Sequence, residues 1–139
     1  DRARDVVEAV TTAVKQEFPE KLVVIAAYAD FERMGTISPF DISPLVADAG
    51  ADVAMIDTGI KDGKSLFEFM DEETLKLFTE RNRELGLQTA LAGSLKFEDL
   101  DALKRIDPEI IGVRGMVCGG DRSTTIRAEL VERAMMMLG

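Results

Sequence analysis

Residues 53–64 read VAMIDTGIKDGK, and the fold prediction starts from this stretch. The apolar run at 53–56 predicts a buried strand, and the glycines after Asp57 predict a loop. In a parallel α/β fold, Asp57 and Lys61 would then lie together where the strand ends. A carboxylate beside an amine suits acid–base or Schiff-base chemistry on carbonyl substrates. The alternative is a surface ion pair, which is common and contributes little.

The composition excludes several classes of function. The 139 residues suffice for one domain with a real core, and the net charge of −9 argues against a nucleic-acid partner. The sequence has no histidine, which excludes His-based triads and His metal sites. No apolar run is long enough to span a membrane, so we expect no membrane partner. The single Cys118 cannot form an internal disulfide, which fits a cytoplasmic protein.

Helices and strands alternate along the chain. Apolar periodicity, caps and breakers predict helices at 1–18, 41–49, 72–85, 98–106 and from Ser123 or Thr124 to about 138, and strands at 21–28, 51–57, 88–92 and 110–114. A short helical segment is predicted at 65–70, and 29–39 is predicted to be a loop. Asp41 and Asp71 are expected to cap the helices that begin beside them. In the first helix we expect a stripe of Val6, Val10 and Val14 to face the core. We also expect the methionines at 135–137 to pack against the fold.

This order, α-(βα)4, predicts an α/β fold with a parallel sheet and right-handed crossovers. Four strands in strict βα repetition amount to half of a TIM (β/α)8 barrel, preceded by one helix. An open sheet of this kind would leave two apolar edges unpaired. We therefore expect residues 1–139 to form a single unit, a half-barrel. Its edges would be covered by a missing N-terminal half or by another copy of the chain in a homo-oligomer.

Polar or glycine residues end all four predicted strands. In a parallel sheet these ends share one mouth, which is where barrel enzymes keep their chemistry. The alternative is simple solvation of the strand ends. The residues concerned are Tyr28 with Asp30, Asp57 with Lys61, Gly93 with Ser94, and Arg114 with Gly115.

Two glycine-containing loops are candidates for phosphate binding. Backbone N–H groups in such turns favour an anion, although the glycines could instead merely end the strands. The loops contain Gly93 and Ser94 after the third strand, and Gly119, Gly120, Asp121 and Arg122 after the fourth. Neither has the spacing of a Walker A motif. Cys118 is expected to be inert because no histidine can activate it, and no carboxylate spacing indicates a metal cage.

Four longer motifs carry a resemblance to a known family. VVIAAYAD (23–30), ADVAMIDTGIKDGKSLFEF (51–69), ALAGSL (90–95) and GVRGMVCGGDR (112–122) closely resemble the (5-formylfuran-3-yl)methyl phosphate synthase family. The resemblance implies a TIM-like barrel and a carbon–oxygen lyase acting on phosphates. Two molecules of glyceraldehyde 3-phosphate would condense, losing water and one phosphate, in methanofuran biosynthesis. It implies no metal or organic cofactor.

The resemblance also implies roles for individual residues. Asp57 and Lys61 fall on the family's active-site pair, for acid–base chemistry. The family's Schiff-base lysine and another catalytic lysine lie in its N-terminal half and have no counterpart here. The chain thus resembles only strands five to eight of the barrel with the helix before them, and we expect the isolated half to be inactive.

Two other functions stay open at this level. One is a different phosphate-binding barrel lyase or isomerase, which product analysis would distinguish. The other is a flavodoxin-like receiver, since Asp57, Asp30 and Ser94 mimic a phospho-acceptor layout. A receiver would need five strands and a lysine at the last strand, where this sequence has Arg114.

Overall fold

A computed structural model describes residues 2–118 and 125–138. The helices are α1 (Arg2–Glu17), α2 (Phe31–Met34), α3 (Pro39–Asp48), α4 (Glu72–Glu84), α5 (Leu100–Ile106) and α6 (Ala128–Leu138). The strands are β1 (Val24–Tyr28), β2 (Val53–Asp57), β3 (Gln88–Leu91) and β4 (Ile110–Ile111). Short 3₁₀ turns cover Leu66–Glu68, Phe97–Asp99 and Gly115–Cys118.

The strands form one parallel sheet in the order β1-β2-β3-β4. The predicted four-strand parallel sheet is therefore confirmed. Because each strand lies beside its predecessor, right-handed crossovers place the connecting helices on the same face of the sheet. The register sets Tyr28 directly opposite Asp57. Within the described residues, β1 and β4 each pair on one side only.

The hydrophobic core fills the space between the sheet and its helices. Ile56 and Leu91 are register partners, so their side chains leave the sheet on the same side. They join Leu75 and Phe78 of α4 in one cluster of buried residues. Phe78 also meets the Phe40 ring edge-on, with centroids 5.7 Å apart. Full burial of one such side chain stabilises the fold by about 1.5–3 kcal/mol.

The other face of the sheet is apolar but partly open. Ala26, Met55, Ala90 and Ile110 are register partners in one row across all four strands. The row is buried at its centre, at Ala90, and exposed at its ends, where Ile110 retains 39% of its surface. At the β1 edge, Val24 is 46% exposed. This row would face the interior if the sheet curled into a barrel.

Two expectations about packing hold only in part. In α1, Val14 packs against the core as expected, but Val6 and Val10 are exposed. Val7 and Thr11 are buried in their place, because the helix docks on α3 through a neighbouring face. In α6 the buried residue is Ala134, and Met136 is 84% exposed. Among the three methionines, only Met137 packs against the core, because the neighbouring positions face away from the sheet.

Several predicted boundaries hold. Asp71 caps α4 by accepting the Thr74 N–H at 2.8 Å, and Ser65 caps the short helical turn that follows the β2 loop. The others differ in detail. The predicted loop 29–39 contains α2, and Ser38 rather than Asp41 caps α3, because Pro39 suits the first helical position.

The fourth strand is shorter than predicted. The Gly112 N–H still donates to the Leu91 carbonyl at 2.9 Å, but the chain then coils into the turn at Gly115–Cys118, so pairing stops. The last helix begins at Ala128, whereas its predicted caps, Ser123 and Thr124, lie outside the described residues. In the described part of the chain, no helix has both the length and the apolar character that crossing a bilayer requires.

Candidate active site

The central feature of the site is an ion pair at the end of β2. Lys61 Nζ donates to Asp57 Oδ1 at 2.8 Å and to Thr58 Oγ1 at 3.1 Å. The side chains of Lys61 and Asp57 are 34% and 28% exposed, so both are half-buried and reachable by a small ligand. The two residues are thus brought together as the spacing predicts.

Thr58 forms hydrogen bonds with both residues of this pair. Its side chain is buried, and its N–H donates to Asp57 Oδ1 at 2.7 Å. Asp57 Oδ1 therefore accepts from both the Thr58 backbone and the Lys61 ammonium. Sequence reasoning did not single out Thr58, although its place directly after Asp57 was a usable signal.

A cavity of about 830 Å³ opens beside the pair. Its wall includes six of the predicted site residues: Asp57, Lys61, Gly93, Ser94, Arg114 and Gly115. These come from the ends of β2, β3 and β4, as expected for a parallel sheet. Size and position fit a small-molecule site.

The cavity wall is positively charged, in contrast to the chain as a whole. Its described residues include four cations, Lys61, Lys96, Arg114 and Arg133, and one acid, Asp57. Arg133 lies over the Phe97 ring, with its guanidinium carbon 4.2 Å from the centroid. Concentrated positive charge in a concave site favours anionic ligands.

Sequence reasoning missed Lys96 and Arg133. Lys96 follows Ser94 by two residues, so its place in the third loop was a usable signal. Arg133 belongs to α6, and only the docking of that helix decides which of its residues reach the cavity.

The turn after β3 contains two consecutive residues with positive φ. Gly93 has a φ of +116° and Ser94 a φ of +47°, both in the left-handed half of conformational space. The Gly93 carbonyl accepts the Leu66 N–H at 2.8 Å, which ties this turn to the segment after β2. Gly93 is therefore structurally required in this turn, whether or not it contacts a ligand.

Tyr28 and Asp30 are not among the described residues that line the cavity. Tyr28 is half-buried beside Asp57, whereas Asp30 is buried below the loop. Burial by itself raises the pKa of Asp30. Hydrogen bonds from the Gly59 and Ile60 N–H groups and from Arg33 outweigh that effect, so the pKa lies below its usual value.

The second predicted phosphate loop falls in a part of the chain that the structure does not describe. Gly119, Gly120, Asp121 and Arg122 all lie outside the described residues. Cys118, just before them, is described and is buried. Within 2–118 and 125–138, no three Cys, Asp or Glu side chains gather as a metal site would require.

Comparison with known proteins bears on these features. The sequence profile of 4-HFC-P synthase matches residues 1–135. The chain is 59% identical over 133 residues to a Methanosarcina barkeri protein and 58% identical over 132 residues to one from Methanosarcina acetivorans. It is 44% identical over 135 residues to an Archaeoglobus fulgidus protein. All three relatives are named (5-formylfuran-3-yl)methyl phosphate synthase.

The matches cover 95–97% of this chain but only 56–57% of these relatives, so the chain spans just over half their length. The resemblance drawn from the four sequence motifs is confirmed. The chain belongs to the 4-HFC-P synthase family.

Proposed function

We propose that the chain is the C-terminal part of an enzyme that makes (5-formylfuran-3-yl)methyl phosphate from two molecules of glyceraldehyde 3-phosphate. The reaction would be that of a carbon–oxygen lyase in methanofuran biosynthesis. The observation that carries this proposal is the Asp57–Lys61 pair, which faces a cavity lined by cations. A carboxylate–amine pair supplies proton transfer, and the cations suit a phosphorylated substrate.

We propose further that the sheet is half of a (β/α)8 barrel. Three observations support this architecture: the strict sequential strand order, the apolar row exposed at both edges of the sheet, and the exposed Val6 and Val10 on α1. An N-terminal half that supplies four more strands would cover all of these surfaces. The length of the relatives leaves room for such a half.

In the complete barrel, a lysine from the other half would form an imine with one triose. Lys61 and Asp57 would then move protons during the aldol step and the dehydrations. Asp57 accepts from the Lys61 ammonium at 2.8 Å, and an adjacent carboxylate stabilises an ammonium. We therefore assign Asp57 mainly an orienting role and Lys61 the proton transfer.

The cationic wall would hold the substrate phosphates. Lys96, Arg114 and Arg133 line the cavity on the side of β3, β4 and α6, while Asp57 and Lys61 stand on the β2 side. This separation lets charged groups fix one end of a triose phosphate while the pair acts on the other end. Such positioning lowers the barrier by holding the reacting atoms in contact.

Product analysis tests the proposal. Glyceraldehyde 3-phosphate is supplied to this chain and, in parallel, to the longest natural chain that contains its sequence. We expect mass spectrometry to find the furan aldehyde phosphate with the longer chain and none with the 139-residue chain. No such product from either would overturn the proposed reaction, and another product would point to a different phosphate-binding barrel enzyme.

The strand order argues against a receiver. A flavodoxin-like receiver has the strand order 2-1-3-4-5, with helices on both faces of the sheet. Here the strands follow their sequence order, which leaves one face free of connecting helices. Phosphorylation of Asp57 by a small phosphodonor with Mg²⁺ would be the result that restores the receiver hypothesis.

A further inference from the structure

The Lys61 loop, residues 58–64, rests on a buried carboxylate. The Asp30 side chain has 0% exposure. Its Oδ1 accepts the Gly59 N–H at 2.7 Å, and its Oδ2 accepts the Ile60 N–H at 3.0 Å. Arg33 Nε also donates to Oδ2 at 3.0 Å. Both oxygens of the carboxylate are thus used to hold the loop and its neighbour.

Arg33 extends this anchor to the other side of Lys61. Its Nη1 donates to Asp62 Oδ2 at 2.9 Å, and its Nη2 donates to the Ile60 carbonyl at 3.4 Å. The guanidinium carbon also lies 4.5 Å from the centroid of the Phe69 ring. A planar, rigid guanidinium fixes several partners at once, which a lysine at the same position could not do.

The loop is also pressed against α2. Gly59 lies against the end of the Met34 side chain, and a Cβ atom on Gly59 would overlap the Met34 sulfur. Residues 30–34 therefore meet the loop through the buried Asp30 carboxylate, the Arg33 guanidinium and the end of the Met34 side chain. The two residues that flank Lys61 are both held by Arg33.

We propose that Asp30 and Arg33 are positioning residues, which hold the Lys61 loop so that the Lys61 ammonium stays against Asp57. This deepens the proposed function and rests on it. Lysine has a long, flexible side chain, so its ammonium is placed reliably only when the backbone beneath it is held. A misplacement of about 1 Å at a reacting group can cost about a hundredfold in rate.

Amide hydrogen exchange tests the anchor directly in this chain. The Asp30→Asn variant keeps the shape of the side chain but loses the charge and one acceptor. We expect the Gly59 and Ile60 amides to exchange at least about tenfold faster, which corresponds to about 1.4 kcal/mol. Glu32→Gln, a change of the same charge at an exposed position of α2, is the matched control. Unchanged exchange at both amides in Asp30→Asn would overturn the anchor.

Turnover in the longest natural chain that contains this sequence tests the link to Lys61. We expect Asp30→Asn and Arg33→Met to lower kcat by about 10–100-fold. KM should change less than about threefold, because the cations that would hold phosphate lie elsewhere in the cavity. Arg33→Lys should retain more of the rate than Arg33→Met but less than the unsubstituted chain, since lysine keeps the charge but lacks the planar guanidinium with its several donors. Circular dichroism confirms that each variant is folded at the assay temperature.

The outcomes separate this inference from the proposed function. If the unsubstituted longest natural chain makes no furan product, the proposed function fails, and hydrogen exchange in the 139-residue chain alone still confirms or overturns the anchor. If it makes product while kcat stays within twofold in both variants, the positioning role fails and the proposed function stands. Equal losses in kcat and in folded fraction would also overturn the positioning role.

Discussion

Gly93, at the end of β3, lies directly against Thr58, at the end of β2. A Cβ atom on Gly93 would fall 2.8 Å from Thr58 Cγ2 and 3.0 Å from the Thr58 nitrogen. Thr58 in turn donates its N–H to Asp57 and accepts from Lys61. The close approach of two strand ends therefore fixes the floor of the site, and a side chain at Gly93 would disturb it.

Gly93→Ala should accordingly destabilise the fold and misplace Asp57 and Lys61. Left-handed backbone strain and the contact with Thr58 should together lower the free energy of unfolding of Gly93→Ala by roughly 2–5 kcal/mol. Gly86→Ala is the matched control, because Gly86 has a φ of +79° and a Cβ atom there would have no neighbour within 4 Å. Backbone strain alone should lower the free energy of unfolding of Gly86→Ala by about 1–2 kcal/mol. Urea unfolding compares the two, and equal losses would contradict the role of the Thr58 contact.

Replacement of Lys61 tests the proposed proton transfer. In the longest natural chain that contains this sequence, Lys61→Ala should lower furan phosphate formation by at least about a hundredfold, since general acid–base catalysis typically contributes 10²–10⁴-fold. The fold should persist, because the Lys61–Asp57 pair is half-exposed and contributes little to stability. Lys64→Ala, an exposed lysine of the same loop, is the control. Near-normal turnover by Lys61→Ala would remove Lys61 from the mechanism.

The lowered pKa of Asp30 predicts a pH dependence of stability. Burial opposes ionisation, but the Gly59, Ile60 and Arg33 donors outweigh it. A group whose pKa is lower in the folded state stabilises the fold above its unfolded value, about 3.9 for Asp, and loses that effect as pH falls through the folded pKa. Asp30→Asn should therefore be less stable than the unsubstituted chain by about 1–3 kcal/mol at neutral pH.

That difference should shrink as pH falls below about 4, because protonated Asp30 then resembles asparagine. Arg33 also lowers the pKa of Asp62, so Asp62→Asn is measured in parallel. Asp62 is more exposed than Asp30. Asp62→Asn should therefore alter the fall in the free energy of unfolding at acidic pH less than Asp30→Asn does. Chemical unfolding at several pH values provides the measurement, and a constant difference between pH 7 and pH 3 would contradict the prediction.

Arg133 is expected to contribute to substrate binding more than to chemistry. It lines the cavity from α6, whereas Asp57 and Lys61 belong to β2 and the loop after it. Arg133→Gln should raise KM for triose phosphate by about 10-fold while kcat changes little, because a charge-assisted hydrogen bond is worth about 1.5–3 kcal/mol. Arg127→Gln, at an exposed cation before the same helix, is the control. A fall in kcat with an unchanged KM would assign Arg133 to the chemical step.

Much of the fold follows from local sequence signals. The alternation of apolar strands with capped helices predicted the parallel sheet, and Asp71 caps α4 as expected because an Asp before a helical stretch satisfies free N–H groups. The predicted α1 stripe failed at Val6 and Val10 because Val6, Val7 and Val10 are all apolar, and periodicity alone cannot choose between neighbouring faces of a helix. That choice depends on how α1 docks on α3.

In the site, the Asp57–Lys61 pair could be predicted from local sequence. Strand and loop follow one another within a few residues, so local chemistry brings the two side chains to one sheet end. Tertiary structure alone decided that Arg133 joins the cavity and that Asp30 turns beneath the loop. These arrangements join segments far apart in the chain, and they depend on helix docking and on the pairing of buried polar groups, which no local pattern encodes.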